Sequence, residues 1–195
     1  MSRVKILLFL LVTLKLSWAQ TNVYRDTIPV FESNNRLLMP WAGGINFSSF
    51  TNIDLNDDGM KDIVAFDKIG GSGGRLRAYL SIGSVGEAKY KHDYTHQEQF
   101  PVVTEWAVFF DYDFDGKSDL FTYTPGGIKV FKNNTIGQNL SFTLVNSLLR
   151  SDYNPFGSPS ISNIPVSPVG IPAISDLDND GDLDILTFLV VAVIV

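Results

Sequence analysis

One acidic nonapeptide occurs three times in this chain, and it constrains the fold more than any other feature. The copies are Asp54-Leu-Asn-Asp-Asp-Gly-Met-Lys-Asp62, Asp111-Tyr-Asp-Phe-Asp-Gly-Lys-Ser-Asp119 and Asp176-Leu-Asp-Asn-Asp-Gly-Asp-Leu-Asp184. All obey the pattern D-x-[DN]-x-D-G-x-x-D, and their starts lie 57 and 65 residues apart. Self-similarity at such a period points to a recurring structural unit. Thirteen of the 21 acidic residues sit inside these windows, so the acidity belongs to sites rather than to one broad face. Outside the windows basic residues exceed acidic ones, and the charge gives no reason to expect a nucleic-acid partner.

The flanks repeat as well. Apolar runs precede the windows at Phe47 to Ile53, Trp106 to Phe110 and Ile171 to Ile174, and follow them at Ile63 to Phe66, Leu120 to Tyr123 and Ile185 to Leu189. Their length and their β-branched and aromatic content read as strands. A Gly turn follows the first two units, at Gly70 to Gly74 and at Gly126-Gly127, and leads to strand candidates at Leu76 to Ile82 and Ile128 to Phe131. Lys89 to Thr95 and Leu140 to Val145 supply a fourth strand. The chain is therefore expected to be all-β. Four antiparallel strands in roughly 60 residues is the size of a propeller blade, and stacking blades buries the faces that one blade alone leaves wet.

Alternating carboxylates in a tight loop suit a hard cation. Calcium takes six to eight oxygen ligands at about 2.3–2.6 Å, and the Gly at the sixth position permits the reversal that turns alternate side chains inward. The expected ligands are Asp54, Asn56, Asp58, the Met60 carbonyl and Asp62 in the first loop. In the second they are Asp111, Asp113, Asp115, the Lys117 carbonyl and Asp119. In the third they are Asp176, Asp178, Asp180, the Asp182 carbonyl and Asp184. Zinc prefers His or Cys, which do not accompany these loops, and magnesium tends to keep several waters. The EF-hand shares the opening D-x-D-x-D-G but needs an acidic residue at its twelfth position. Here that position is Ala65, Thr122 or Thr187, and the flanks are strand-like.

These loops and flanks resemble the FG-GAP, or VCBS-like, repeats of integrin α-subunit propellers and of many secreted bacterial proteins. The resemblance covers about residues 40–190. It implies a calcium-binding hairpin in each blade. The Phe-Gly and Gly-Ala-Pro tags that name the family are not clearly spelled out. Pro40-Trp-Ala-Gly-Gly, Phe100-Pro101 and Pro125 to Val130 are similar to stretches of large secreted repeat proteins of Bacteroidota.

The start of the chain reads as an export signal. Arg3 and Lys5 precede the apolar run Ile6 to Val12, and Ser17 and Ala19 occupy the small-residue positions of a cleavage site. Lys15 interrupts the run before it reaches membrane-spanning length. Cleavage before Gln20 removes three basic residues and takes the formal charge from −6 to −9; three calcium ions would bring it to about −3. Cysteine is absent, which excludes disulfides and thiolate chemistry and leaves a structural metal as a natural stabiliser. The expected organisation is a signal peptide over 1–19, an extended segment over 20–39, and repeats over 40–98, 99–150 and 165–195, with Ser151 to Pro172 as a long loop between units. The third unit is short: Val191 and Ala192 stand where the first two have their Gly turn, and the chain runs on as Leu189 to Val195. An incomplete propeller is the expectation, since propellers close with about 4–8 blades.

Other features are weaker. His92 and His96 in a Tyr-rich segment are a possible catalytic or metal pair, and Glu105 beside Trp106 a possible glycosidase carboxylate. Asn46, Asn133 and Asn139 begin N-x-[ST] sequons. No nucleophile-elbow, zincin or phosphate-loop motif occurs. The expected function is that of a secreted, noncatalytic calcium-binding module, at or near the cell surface, that contacts a protein or glycan. The alternative is the propeller scaffold of a polysaccharide-active enzyme.

Overall fold

The computed structural model describes residues 28–40, 44–46, 48–69, 73–152 and 161–188. The proposed signal peptide and the run Leu189 to Val195 lie outside these residues. The chain divides into two units, Met1–Trp41 and Ala42–Val195.

In the first unit, β1 (Phe31–Glu32) pairs antiparallel with β2 (Asn35–Arg36). Ser33 and Asn34 between them have φ of 46° and 69°, the left-handed pair that a tight two-residue hairpin requires. Part of the expected extended segment thus folds back on itself.

The second unit holds two four-stranded antiparallel meanders. The first sheet orders β3 (Ser49–Ile53), β4 (Asp62–Ile69), β5 (Gly73–Ser81) and β6 (Tyr90–Asp93) side by side. The second orders β7 (Ala107–Phe110), β8 (Asp119–Thr124), β9 (Gly127–Asn133) and β10 (Phe142–Asn146) in the same way. Pro125 and Gly126 form the β8–β9 turn, in which Gly126 has φ 93°. Two smaller pairs follow: β11 (Arg150–Ser151) with β12 (Ser162–Asn163), and β13 (Ala173–Ser175) with β14 (Asp184–Leu186). The expected strands fall on these elements with small shifts at their ends. The expected strand Lys89 to Thr95 stops early. Asp93 accepts hydrogen bonds from the N–H groups of Thr95 and His96 and so caps the short helix α1 (Tyr94–Gln97).

Stacking of the sheets builds the core. Ile53, Leu55, Val64, Phe66, Leu76 and Ala78 of the first sheet and its acidic loop pack with Ala107 and Leu120 of the second, together with Val103 and Leu140. Phe100 stacks on Phe142 at this seam, with ring centroids 5.6 Å apart. The other face of the second sheet, with Phe121, Ile128 and Val130, packs with Trp106, Leu149 and Ile174. Ile164, Val166, Leu183 and Ile185 border that cluster. Both faces of β8 are therefore covered, which explains why Asp119 to Thr122 read without polar alternation and are all buried. The expected long loop Ser151 to Pro172 is partly built into the fold: β12 pairs with β11, and Ile164 N–H donates to the Leu149 carbonyl at 3.2 Å. Among the described residues no helix is long and apolar enough to cross a membrane.

Candidate metal centres

Each acidic window joins the first two strands of a unit, in one register. Ile53 pairs with Asp62, Phe110 with Asp119, and Ser175 with Asp184. The residue before each loop thus lies opposite the loop's ninth position. The twelfth positions of the first two loops fall inside strands: Ala65 is buried in β4, and Thr122 in β8 donates its hydroxyl to the Trp106 carbonyl at 2.7 Å. An EF-hand closure is excluded there by this placement.

The backbone path repeats as well. Gly59, Gly116 and Gly181 at position 6 have φ of 82°, 89° and 89°. Asp57, Phe114 and Asn179 at position 4 are also left-handed, at 57°, 58° and 60°. The pattern flags the glycine but not position 4, because Asn and Asp tolerate this region while Phe does not advertise it.

Hydrogen bonds then fix the carboxylates. The position-1 aspartate accepts from the N–H of the glycine: Gly59 to Asp54 at 2.8 Å, Gly116 to Asp111 at 2.7 Å and Gly181 to Asp176 at 3.2 Å. The position-5 aspartate accepts from the N–H of position 7: Met60 to Asp58 at 2.8 Å, Lys117 to Asp115 at 3.0 Å and Asp182 to Asp180 at 3.0 Å. The three residues expected to offer carbonyls are held in place by these bonds.

Position 9 does more than close a shell. Asp62 and Asp119 are both 0% exposed. One oxygen of Asp62 accepts from Leu55 N–H at 2.9 Å and the other from Ser81 N–H, on the third strand, at 2.8 Å. Asp119 does the same with Tyr112 N–H at 2.7 Å and Asn133 N–H at 2.6 Å. Asp184 accepts from Leu177 N–H at 2.8 Å. Each of the first two is a staple between loop, second strand and third strand. Burial pushes the carboxyls of Asp62 and Asp119 above their ordinary value, outweighing the backbone N–H groups that favour the charge.

Two loops gather acidic groups tightly. Oxygens of Asp111, Asp113 and Asp115 lie within 4.8 Å of one another, and so do those of Asp176, Asp178 and Asp184. Asp119 and Asp180 stand outside those trios. In the first loop Asn56 replaces one carboxylate, and its Nδ2 donates to Asp58 at 2.9 Å. Such groups can hold a metal ion, and an all-oxygen donor set suits a hard one. Asn56 Oδ1 and Asp176 Oδ1 are shielded from solvent and have no hydrogen-bond partner. Both are expected ligand atoms, and an unpaired buried oxygen is costly without a cation or water to meet it. In the third loop the Asp180 carboxylate pushes the Asp182 carboxyl up, as crowded like charges do.

The other candidates separate. His92 Nε2 lies 2.7 Å from Gln97 Oε1, while His96 Nδ1 bonds Asp93, so each ring has its own partner. Glu105 is bound to Lys68 at 2.9 Å and sits at φ 62°, a link from β4 to the segment that enters β7. Asn133 is 2% exposed and donates from Nδ2 to the Ser118 carbonyl at 3.0 Å, which removes it as a glycan acceptor. Sequence reasoning missed Lys132. Its ammonium bonds Asp113 and lies 3.0 Å from Asp115, nineteen and seventeen residues back along the chain. These carboxylates hold the Lys132 ammonium well above its usual range, and Lys132 in turn holds Asp115 low. A comparison of the chain with family models, curated proteins and solved structures finds no match.

Proposed function

We propose that the chain is a secreted calcium-binding repeat protein of the FG-GAP or VCBS type, acting as a noncatalytic module that contacts a protein or glycan. The recurrence of one loop geometry in three places carries this reading, and the unpartnered Oδ1 atoms of Asn56 and Asp176 give it a ligand to seek. Calcium is the preferred cation because every donor is an oxygen and no His or Cys joins the loops. Bound ions would stiffen the hairpins at one end of the stacked sheets and leave their outer loops for contact.

Surface contact also suits the clefts. Two clefts among the described residues measure about 130 and 120 Å³. Pockets for small ligands are usually about 300–1,000 Å³.

Calorimetric titration of the chelator-stripped protein with calcium tests the metal reading. Three ions should bind. At one hundred times Kd each site adds about 2.7 kcal/mol to the folded state. No uptake at millimolar calcium overturns the reading. The contact role is checked by capture on glycan and surface-protein arrays with calcium and with chelator; capture independent of calcium would count against it.

A further inference from the structure

The three loops share a frame but not their surroundings. In the first sheet Ser81 N–H reaches Asp62, and in the second Asn133 N–H reaches Asp119. Ser81 and Asn133 are therefore equivalent, and so are the residues before them, Leu80 and Lys132. Paired registers agree: Ile63 faces Tyr79, and Leu120 faces Phe131. At this equivalent place the first unit has an aliphatic side chain and the second a cation. The Lys132 ammonium bonds the Asp113 carboxylate and lies 3.0 Å from that of Asp115. Lys117, in the same loop, is not free to do this, because its ammonium is bonded to the Thr135 carbonyl. Among the described residues no Lys or Arg is ion-paired to a carboxylate of the first or third loop.

We propose that Lys132 is a built-in competitor cation at the second loop, so that a divalent ion enters there only by displacing its ammonium, and that this makes the second loop weaker than the third. The inference rests on the calcium reading above. Asp113 and Asp115 supply two of the oxygens an ion needs, and the one ammonium that bridges them already cancels one of their two charges. The third loop keeps five aspartates and no internal cation, so it fills first. The second then responds to calcium over a higher range than the third and is less sensitive to salt, because screening weakens the ammonium it must displace as well as the incoming ion.

Calcium titration of the whole protein by calorimetry, at low and high sodium chloride, tests this with Lys132→Leu, which copies the first sheet, and Lys132→Gln. Lys129→Gln is the control. It removes the same charge from the same strand, where the Lys129 ammonium lies over the Phe131 ring at 5.4 Å. Both Lys132 variants should tighten the site that Asp115→Ala removes about fivefold, the scale of one exposed ion pair. Lys129→Gln should not, and adding Asp115→Ala should abolish the gain. Equal titrations for Lys132→Gln and Lys129→Gln, with calcium still bound, overturn the competitor role and leave the calcium reading standing. A wild-type protein that takes up no calcium overturns both.

Discussion

Replacing Asp119 with Ala separates the two roles that the ninth loop position combines. The side chain is fully buried, and its two oxygens satisfy Tyr112 N–H and Asn133 N–H. Removing it leaves two backbone donors without partners, each costing about 1–3 kcal/mol. Relief of the burial that raises the Asp119 carboxyl offsets a part of this. The net loss expected is about 3 kcal/mol, before any metal is considered. For a domain of this size about 1 kcal/mol corresponds to about 2–4 °C, so the melting temperature should fall by about 6–12 °C in excess chelator. Asp113→Ala is the matched control, because its only hydrogen bond among those described comes from Lys132 at the surface. In chelator it should melt close to wild type, and it should lose stability only relative to the calcium-loaded protein. Circular dichroism melts with chelator and with calcium read both. If Asp119→Ala melts within about 2 °C of wild type in chelator, position 9 is only a metal ligand and the staple is wrong.

Three further outcomes are expected. Asp67 is buried, accepts from Asn46 N–H at 3.0 Å and from Arg77 at 2.7 Å; Asp67→Ala removes the charge partner of a buried guanidinium, which keeps its bond to the Gly44 carbonyl, and should cost about 3 kcal/mol in urea unfolding, and a loss under about 1 kcal/mol refutes the buried-pair account. Phe114 is 51% exposed and left-handed, so Phe114→Asn, which copies Asn179, should gain about 1 kcal/mol; an unchanged midpoint refutes the strain. The last concerns pH. Asp62 and Asp119 are raised above 3.8 by burial, so the chelated fold binds these protons more tightly than the unfolded chain, and acidification from neutrality towards that value adds stability through them. Calcium competes for the same oxygens, so the gap between calcium and chelator melting temperatures should narrow as pH falls; a constant gap from neutrality to pH about 4 refutes the linkage. Asp67 and Asp93 work in the opposite sense. Despite burial, hydrogen bonds (Asn46 N–H and Arg77 for the first, His96 for the second) hold them below 3.8, and their stabilisation is lost only as pH falls through those lower values.

By itself the sequence determined the acidic hairpins and most of the strands around them. The reason is local: Gly59, Gly116 and Gly181 fix a reversal that few other residues allow, and the aspartates at positions 1 and 5 accept from N–H groups of their own loop. The all-β character followed from short apolar runs between turn residues. Tertiary structure decided what depends on which residue lies alongside. Asp119 became a staple because β9 brings Asn133 N–H to it, and Lys132 entered the second loop because the same strand carries it one residue earlier. Glu105 pairs with Lys68, and Ile164 joined the core by way of a two-residue pairing of β11 with β12. None of these partners is close enough in the chain to leave a periodic or motif signal. Each is fixed by strand register and sheet stacking, which the pattern of one loop does not encode.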